Sequence, residues 1–234
     1  MKATAKKPRG RPKDEALVAM RQEQILDAAA PVFAEHGFRN TDVQYVADAL
    51  QVGKGTIYRY FPSKEALFLA AVDRGMRRLT ERFEAEVHTI AEPLERMEHA
   101  IGVYLGFFRE HPEYVELLIL ERAEFRDRKK PTYFEHRDAH VHRWHDLFRR
   151  LIADGRVRDI PVERIAEVLS DLVYGTMFTN YFAARHKPIE AQAEHILDIV
   201  FHGILSDPER AKKKTKIQEG RVESGAEPPH STRG

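Results

Sequence analysis

The chain of 234 residues contains no cysteine. Disulfides and thiolate metal sites are therefore out of consideration, and a cysteine-free chain suits a reducing compartment. It also lacks a long hydrophobic run. The longest stretch free of charged side chains extends from Leu172 to Ala184 and includes Asn180, whereas a membrane span needs about 20 apolar residues. No apolar segment follows the basic N-terminus as a secretory signal requires. The expectation is a soluble, cytoplasmic protein with no membrane partner. Glycine-rich phosphate loops, nucleophile elbows and paired catalytic carboxylates are likewise missing, so neither an enzyme nor a cofactor is expected. His136 and His140 are spaced i, i+4, with His142 and His145 following. Such pairs bind zinc or nickel, but their segment is densely charged and reads as a solvated face, so no metal is expected.

What is present is unevenly charged. The formal net charge is only +1, yet residues 1–64 carry eleven basic against seven acidic side chains. The first thirteen residues hold six of those bases and no acid. A basic front on a slightly acidic body points to a polyanion docking at one end; a solubilising tail is the plainer reading.

Apolar spacing is helical nearly throughout. Residues 1–15 are rich in Lys, Arg and Pro and read as a disordered basic arm. Ile25, Ala28, Ala29, Val32 and Phe33 form a one-sided stripe that ends near Gly37, a natural C-terminal cap. Short helices are predicted from Thr41 and from about Lys54. Ser63 then caps a long helix reaching Val87. Further helices are predicted at Leu94–Glu110, Pro112–Arg128, Thr132–Ala153, Val162–Arg185 and Ile189–Leu205, each announced by a proline (93, 112, 131, 161, 188). From Ser206 the chain turns polar and reads as a disordered tail. The predicted class is all-α, with a three-helix domain over residues 16–66 and a larger helical domain over 67–205.

The most informative stretch is Thr41 to Leu67, TDVQYVADALQVGKGTIYRYFPSKEAL. Val43, Val46, Ala47 and Leu50 share one helical face, and after the turn Thr56, Ile57 and Tyr60-Phe61 start another apolar pattern. Two short helices joined by a tight Gln51–Lys54 connection make a helix-turn-helix corner. Ala47 is small where the helices cross, and Val52 can plug the corner. The second helix crowds Lys54, Thr56, Tyr58, Arg59 and Tyr60 into two turns, a dense set of donors near a helix start.

These residues resemble the TetR family of transcriptional regulators. The family pattern, roughly T-x-V-x-x-I-A-x-x-A-G-V-S-K-G-T-x-Y-x-Y-F-x-S-K-E-x-L, is matched at Thr41, Val43, Ala47, Val52, Lys54, Gly55, Thr56, Tyr58, Tyr60, Phe61, Ser63, Lys64, Glu65 and Leu67. The preceding helix, with Ala29, Phe33, Gly37 and Phe38, is similar as well. Two departures stand out. Leu50-Gln51 replaces the usual Ala-Gly of the turn, and Gly53 replaces the capping serine. Gln51 must then adopt a left-handed conformation at a cost of about 1 kcal/mol, while Gly53 is a weaker cap.

By position, the resemblance implies that Gln44, Lys54, Gly55, Thr56, Tyr58 and Arg59 face the major groove of double-stranded operator DNA. Thr41, Tyr60 and Lys64 would hold phosphates. Arg59 is the first choice for a base reader, since its fork suits guanine. Gln44 also fits a capping box with Thr41, and Tyr60 also fits the core. Arg9-Gly10-Arg11-Pro12 resembles an AT-hook core, in which Arg9 and Arg11 would line a narrow minor groove; a generic basic arm is the alternative.

If the resemblance extends further, the body is an effector-binding and dimerisation domain. Ile165, Leu169, Leu172, Val173 and Thr176, with Ile196, Ile199, Val200, Gly203 and Ile204, suit a homodimer built by the last two helices, or else monomer core. Tyr104, Phe107, Phe108, Phe125, Trp144, Phe148, Tyr174, Phe178 and Phe182 are numerous for one helical body. Of these, Tyr104, Phe108, Phe125, Trp144, Tyr174 and Phe178, with Met177, are candidates to line an effector pocket, with Asn180 as a polar handle; aromatic core is the plainer alternative. The function expected is a repressor whose operator binding is modulated by an unidentified small molecule. The competing reading is an architectural DNA-binding protein with broad A·T preference.

Overall fold

The computed structural model describes residues 15–185 and 187–202. Arg9 and Arg11 of the basic arm, Gly203 and Ile204 of the last apolar face, and the tail from Ser206 lie outside the described residues. Within them the chain forms nine helices and no strand: α1 (Glu15–Asn40), α2 (Val43–Ala49), α3 (Lys54–Tyr60), α4 (Lys64–Glu86), α5 (Pro93–Glu110), α6 (Pro112–Glu124), α7 (Thr132–Ala153), α8 (Val162–Phe182) and α9 (Ile189–His202).

The boundaries follow local chemistry. Gly37, at φ 74°, breaks the helical path of α1 before its last residues, a backbone conformation glycine adopts without a side-chain clash. Ser63 caps α4 by accepting the Ala66 N–H at 3.0 Å. Pro93 and Pro112 occupy the first turns of α5 and α6, and Pro131 and Pro161 cap α7 and α8. Pro31, by contrast, lies inside α1. Glu92 caps α5, its carboxylate accepting the Glu95 N–H at 2.7 Å. Two predicted ends are corrected. Helix α6 stops at Glu124 rather than Arg128 and α8 at Phe182 rather than Arg185. At Phe125 (ψ 55°) and Ala184 (φ 46°) the backbone leaves the helical region.

One apolar core runs through the molecule. Ile25, Ala29 and Phe33 of α1, Val46 and Ala47 of α2 and Ile57 of α3 are buried together with Leu67, Phe68 and Ala71 of α4. The same core continues into the body through Tyr104, Phe107, Leu117 and Leu151. Helix α4 packs against α1, α5, α6 and α7. Its fit to α6 is close: a Cβ on Gly75 would stand 2.3 Å from Cδ1 of Tyr114. The Tyr114 ring is fully buried and stacks on Phe107 at 5.8 Å, so it has little freedom to retreat. Phe38, Phe68 and Phe125 form a second bond across the junction, with centroids 4.9 to 5.4 Å apart, and Arg39 donates to both oxygens of Glu124 at 3.0 and 2.8 Å.

A buried carboxylate fixes the other face. Glu121 of α6, only 1% exposed, accepts the Thr132 N–H at 3.0 Å and the Thr132 hydroxyl at 2.8 Å. It thereby serves the N-terminus of α7, where a negative charge is favoured.

Gly75→Ala should lower stability by roughly 1–3 kcal/mol, the usual cost of overpacking, read as a shift in denaturant midpoint. Combined with Tyr114→Leu it should cost less than the sum of the two changes. An unchanged midpoint in Gly75→Ala would mean that α4 and α6 are not in this close contact.

Candidate nucleic-acid interface and cavity

Helix α2 is buried through Val43, Val46 and Ala47. Its N-cap is Asp42, which accepts the Gln44 N–H at 2.8 Å. The capping box expected from Thr41 and Gln44 does not form. The Gln44 side chain donates instead to Asp48 at 2.7 Å, leaving it on the outer face of α2. Thr41 is 2% exposed and its hydroxyl donates to the Gly37 carbonyl at 2.6 Å. That hydroxyl closes the α1–α2 corner, a structural duty that competes with the phosphate role expected of it.

The turn behaves as its residues require. Gln51 takes φ 54°, and the Val52 N–H reaches back to the Ala47 carbonyl at 2.9 Å. Gly53 caps α3 without a side-chain bond. In α3 itself only Ile57 is fully buried. Gly55, Tyr58 and Arg59 are exposed, and Lys54, Thr56 and Tyr60 are half-buried. Arg59 lies 5.2 Å from the Tyr60 ring centroid, a cation–π approach that orients its guanidinium. Tyr60 also packs on the core.

Two lysines have inward duties that the sequence pattern does not disclose. Lys54 is hydrogen-bonded and ion-paired to Asp42. This pairing, with the Gln44 N–H, holds the Asp42 carboxyl below its ordinary range, and raises the Lys54 ammonium above its own. Lys64 donates to the carbonyls of Arg39 and Thr41, each at 3.0 Å, and sits 4.9 Å from the Phe38 ring centroid. It ties the first turn of α4 to the end of α1, where a cation suits the exposed carbonyls. Its expected phosphate role thus competes with a structural one.

A cavity of about 470 Å³ opens in the body between α4, α5, α7 and α8. Of the aromatic candidates, Tyr104, Trp144 and Phe148 line it. Phe108 is core, and Phe125, the residue immediately after α6, packs on Phe38 and Phe68 at the junction described above. Tyr174 and Phe178 form a ladder from Tyr133 to Phe182, with centroid spacings of 4.5, 4.9 and 5.8 Å, and Met177 meets Tyr104 from outside the cavity wall. Asn180 donates to Gln192 at 2.7 Å and joins α8 to α9. Phe108, Phe125, Tyr174, Met177 and Phe178 of the expected lining lie outside the wall of this cavity.

The wall the sequence reading missed is polar. His136, Arg137, His140 and Arg143 of α7 border the cavity, so the face read as solvated is partly internal. They stand with Arg96, Arg150 and His88 against Glu84 and Asp146. His136 also bonds through Nε2 to Asp73 of α4 at 2.7 Å, chiefly which holds the Asp73 carboxyl below its usual range. Asp73 accepts Arg77 Nε at 2.9 Å, and Arg77 donates to Glu23 of α1 at 3.0 Å. Cavity wall, α4 and α1 are thus joined by consecutive polar contacts. Among the described residues no cluster of three potential metal ligands occurs.

A seven-residue helix displayed on a tight corner, with its polar side chains outward, defines a helix-turn-helix DNA-binding protein. Residues 25–71 match the family of bacterial regulatory proteins, tetR family. Those residues carry the DNA-binding domain of that family, and the chain is a DNA-binding transcriptional regulator. It is 28% identical over 198 residues to the HTH-type transcriptional repressor KstR2 of Mycobacterium tuberculosis, covering 81% of this chain and 96% of the relative. Its fold is similar to that of the regulator FadR from Bacillus subtilis, solved in complex with stearoyl-CoA (TM-score 0.65, 22% identity, 78% of this chain and 98% of that one). It is also similar to that of a regulator from Saccharomonospora viridis, solved in complex with choline (TM-score 0.66, 25% identity, 80% and 99%).

Replacing Gln51 by Gly should raise the unfolding free energy by up to about 1 kcal/mol, and Gln51→Val should lower it, because a β-branched residue tolerates positive φ least. Thermal melts check the order; Val as stable as Gln would show that the turn is not left-handed in solution.

Proposed function

We propose that the protein is a dimeric repressor that grips operator DNA through α3 and releases it when an amphiphilic anion fills the cavity. The observation that carries this reading is the position of α4. Its N-terminal half carries the core of the reading head, and Met76, Leu79, Thr80 and Phe83 of the same helix wall the cavity. A ligand that shifts α4 shifts the head. It can do so only to the extent that it binds the released state more tightly.

The DNA side rests on α3. Gly55 lies inside a helix, where glycine costs about 1 kcal/mol relative to alanine. Yet a Cβ there would meet nothing within 4 Å. Internal packing does not ask for glycine at this position; close approach of a DNA backbone does. Arg59, Tyr58, Thr56, Lys54 and Gln44 surround it as base and phosphate contacts. Arg9 and Arg11 would extend the grip into the adjacent minor groove. Relatives acting as repressors support the same direction of control.

The ligand side rests on the cavity's two textures. Hydrocarbon from α4 and α5 suits an apolar body, and Arg96, Arg143 and Arg150 suit an anionic group. The stearoyl-CoA held by the Bacillus subtilis regulator has this chemistry and makes a suitable probe. Occupancy reaches the head through His136, Asp73, Arg77 and Glu23. Dimerisation is assigned to α8 and α9, where Val168, Leu172, Phe182 and Ile199 are 40 to 69% exposed and Gly175 leaves room for a partner helix. Two reading heads then address two half-sites.

Binding to upstream promoter DNA, titrated against random duplex at one fixed salt concentration, tests the DNA reading. Promoter preference should exceed roughly a hundredfold, and Arg59→Ala should cost about 1–3 kcal/mol on the promoter only. Gly55→Ala should melt higher and yet bind the promoter less well. Equal affinity for both duplexes would leave phosphate attraction alone and favour an architectural role.

Asp73→Asn tests the relay. It should keep promoter affinity within a few-fold of wild type, while stearoyl-CoA releases it at least about fivefold less effectively, the lower end of typical allosteric coupling. Unaltered release by stearoyl-CoA would remove these residues from the signal path.

A further inference from the structure

Most of the cavity wall is hydrocarbon, from Met76, Leu79, Phe83, Met97, Ile101 and Leu147. Against it stand three hydroxyls contributed by three helices: Tyr104 of α5, Tyr133 of α7 and Ser170 of α8. Tyr104 and Tyr133 are 8% and 7% exposed, and their oxygens are 3.0 Å apart. Ser170 neighbours Tyr133, and Sδ of Met177 lies 3.6 Å from the Tyr104 oxygen. Burial raises both phenols, Tyr133 up to about 12, so both keep their protons near neutral pH.

Counting protons shows what the arrangement lacks. Of the three, only Tyr104 and Tyr133 are hydrogen-bonded to one another, and two phenols bring two protons but make one link. If Tyr104 donates to Tyr133, the surplus proton is displaced toward Ser170 and the cavity. If Tyr133 donates to Tyr104, the surplus proton is left to a thioether, a weak acceptor. A buried donor without a good acceptor costs free energy, and natural structures rarely tolerate one without a reason. The nearest cation, Arg137, is already bonded to Asp138 at 2.9 Å. The row therefore offers a proton and no free charge.

We infer that this row is a subsite for a neutral acceptor oxygen, a carbonyl, on a ligand whose adjoining body is hydrocarbon. The inference rests on the reading of the cavity as a ligand site given above. A carbonyl accepts without donating, which complements a row with one proton too many. It would also select among ligands of equal size. A site built to bond an oxygen discriminates against the analogue that lacks it, because its own donor is left unpaired.

Trp144 is the chain's sole tryptophan and borders the same cavity, so its fluorescence reports occupancy. The probes are 2-decalone and decalin, which differ by one carbonyl oxygen. Each is titrated into the full-length wild type, Tyr133→Phe and Tyr104→Phe. The ratio of the decalin Kd to the 2-decalone Kd should fall about tenfold in Tyr133→Phe, through weaker 2-decalone binding with decalin unchanged. Unaltered decalin affinity certifies that the cavity is intact in a variant. Should one variant lose decalin as well, the other decides. A ratio equal in wild type and variants overturns the subsite while leaving the cavity a ligand site. Failure of both probes to perturb Trp144 in the wild type overturns the cavity reading and the subsite with it.

Discussion

One helix, α4, spans both ends of a single apolar core. Its first turns hold Leu67 and Phe68 against α1 and the reading head, and its later turns present Met76, Leu79 and Phe83 to the body cavity. It cannot slide freely between them. Lys64 binds its start to the last carbonyls of α1, and Tyr114 fills the space in which a larger residue at Gly75 would stand. Close-packed contacts of this kind respond to displacement by moving as units rather than by deforming locally. Packing thus joins the cavity wall and the head through one helix, and the contacts from His136 through Asp73 and Arg77 to Glu23 run beside it.

Around that helix, polar contacts are concentrated where the elements meet. Arg74 and Arg77 of α4 pair with Glu23 of α1, Asp73 with His136 of α7, and Arg39 of α1 with Glu124 of α6. Individually, such half-exposed pairs contribute little to stability, about 0–1 kcal/mol each. Their value is directional: each ties a given turn of one helix to a given turn of another. The apolar core supplies the bulk of the cohesion, while the pairs select the register. The buried Glu121 differs in kind, because Thr132 satisfies its oxygens in a place from which water is excluded.

The DNA side shows the opposite economy. Helix α3 buries only Ile57 fully, follows a turn with a residue at positive φ, starts at a glycine cap without a side-chain bond, and carries Gly55 with open space around it. Each choice weakens the free protein slightly. Together they leave a short helix whose outer surface is almost wholly available to a partner. Local departures from good helix chemistry that packing does not explain are concentrated where another molecule must fit.

Much of this was legible from the residues in order. Three- and four-residue apolar spacing places nearly every helix, since periodicity reports which side of a helix is dry. The Thr41–Leu67 stretch discloses the corner and even the left-handed Gln51, because turn geometry depends on a handful of neighbours in sequence. The tertiary structure decided what depends on partners far away along the chain. Phe125 and Trp144 are both aromatic residues in the helical body, yet one meets Phe38 and Phe68 and the other faces a cavity. Lys64 looks free until the end of α1 arrives beside it, and Thr41 looks like a cap until Gly37 takes its proton. His136 and His140 sit in a charged segment that reads as solvated, but α4 and α5 close over one side of it. Composition and spacing determine which side chains seek burial or charge; only the packing of distant helices determines which neighbour each one finds.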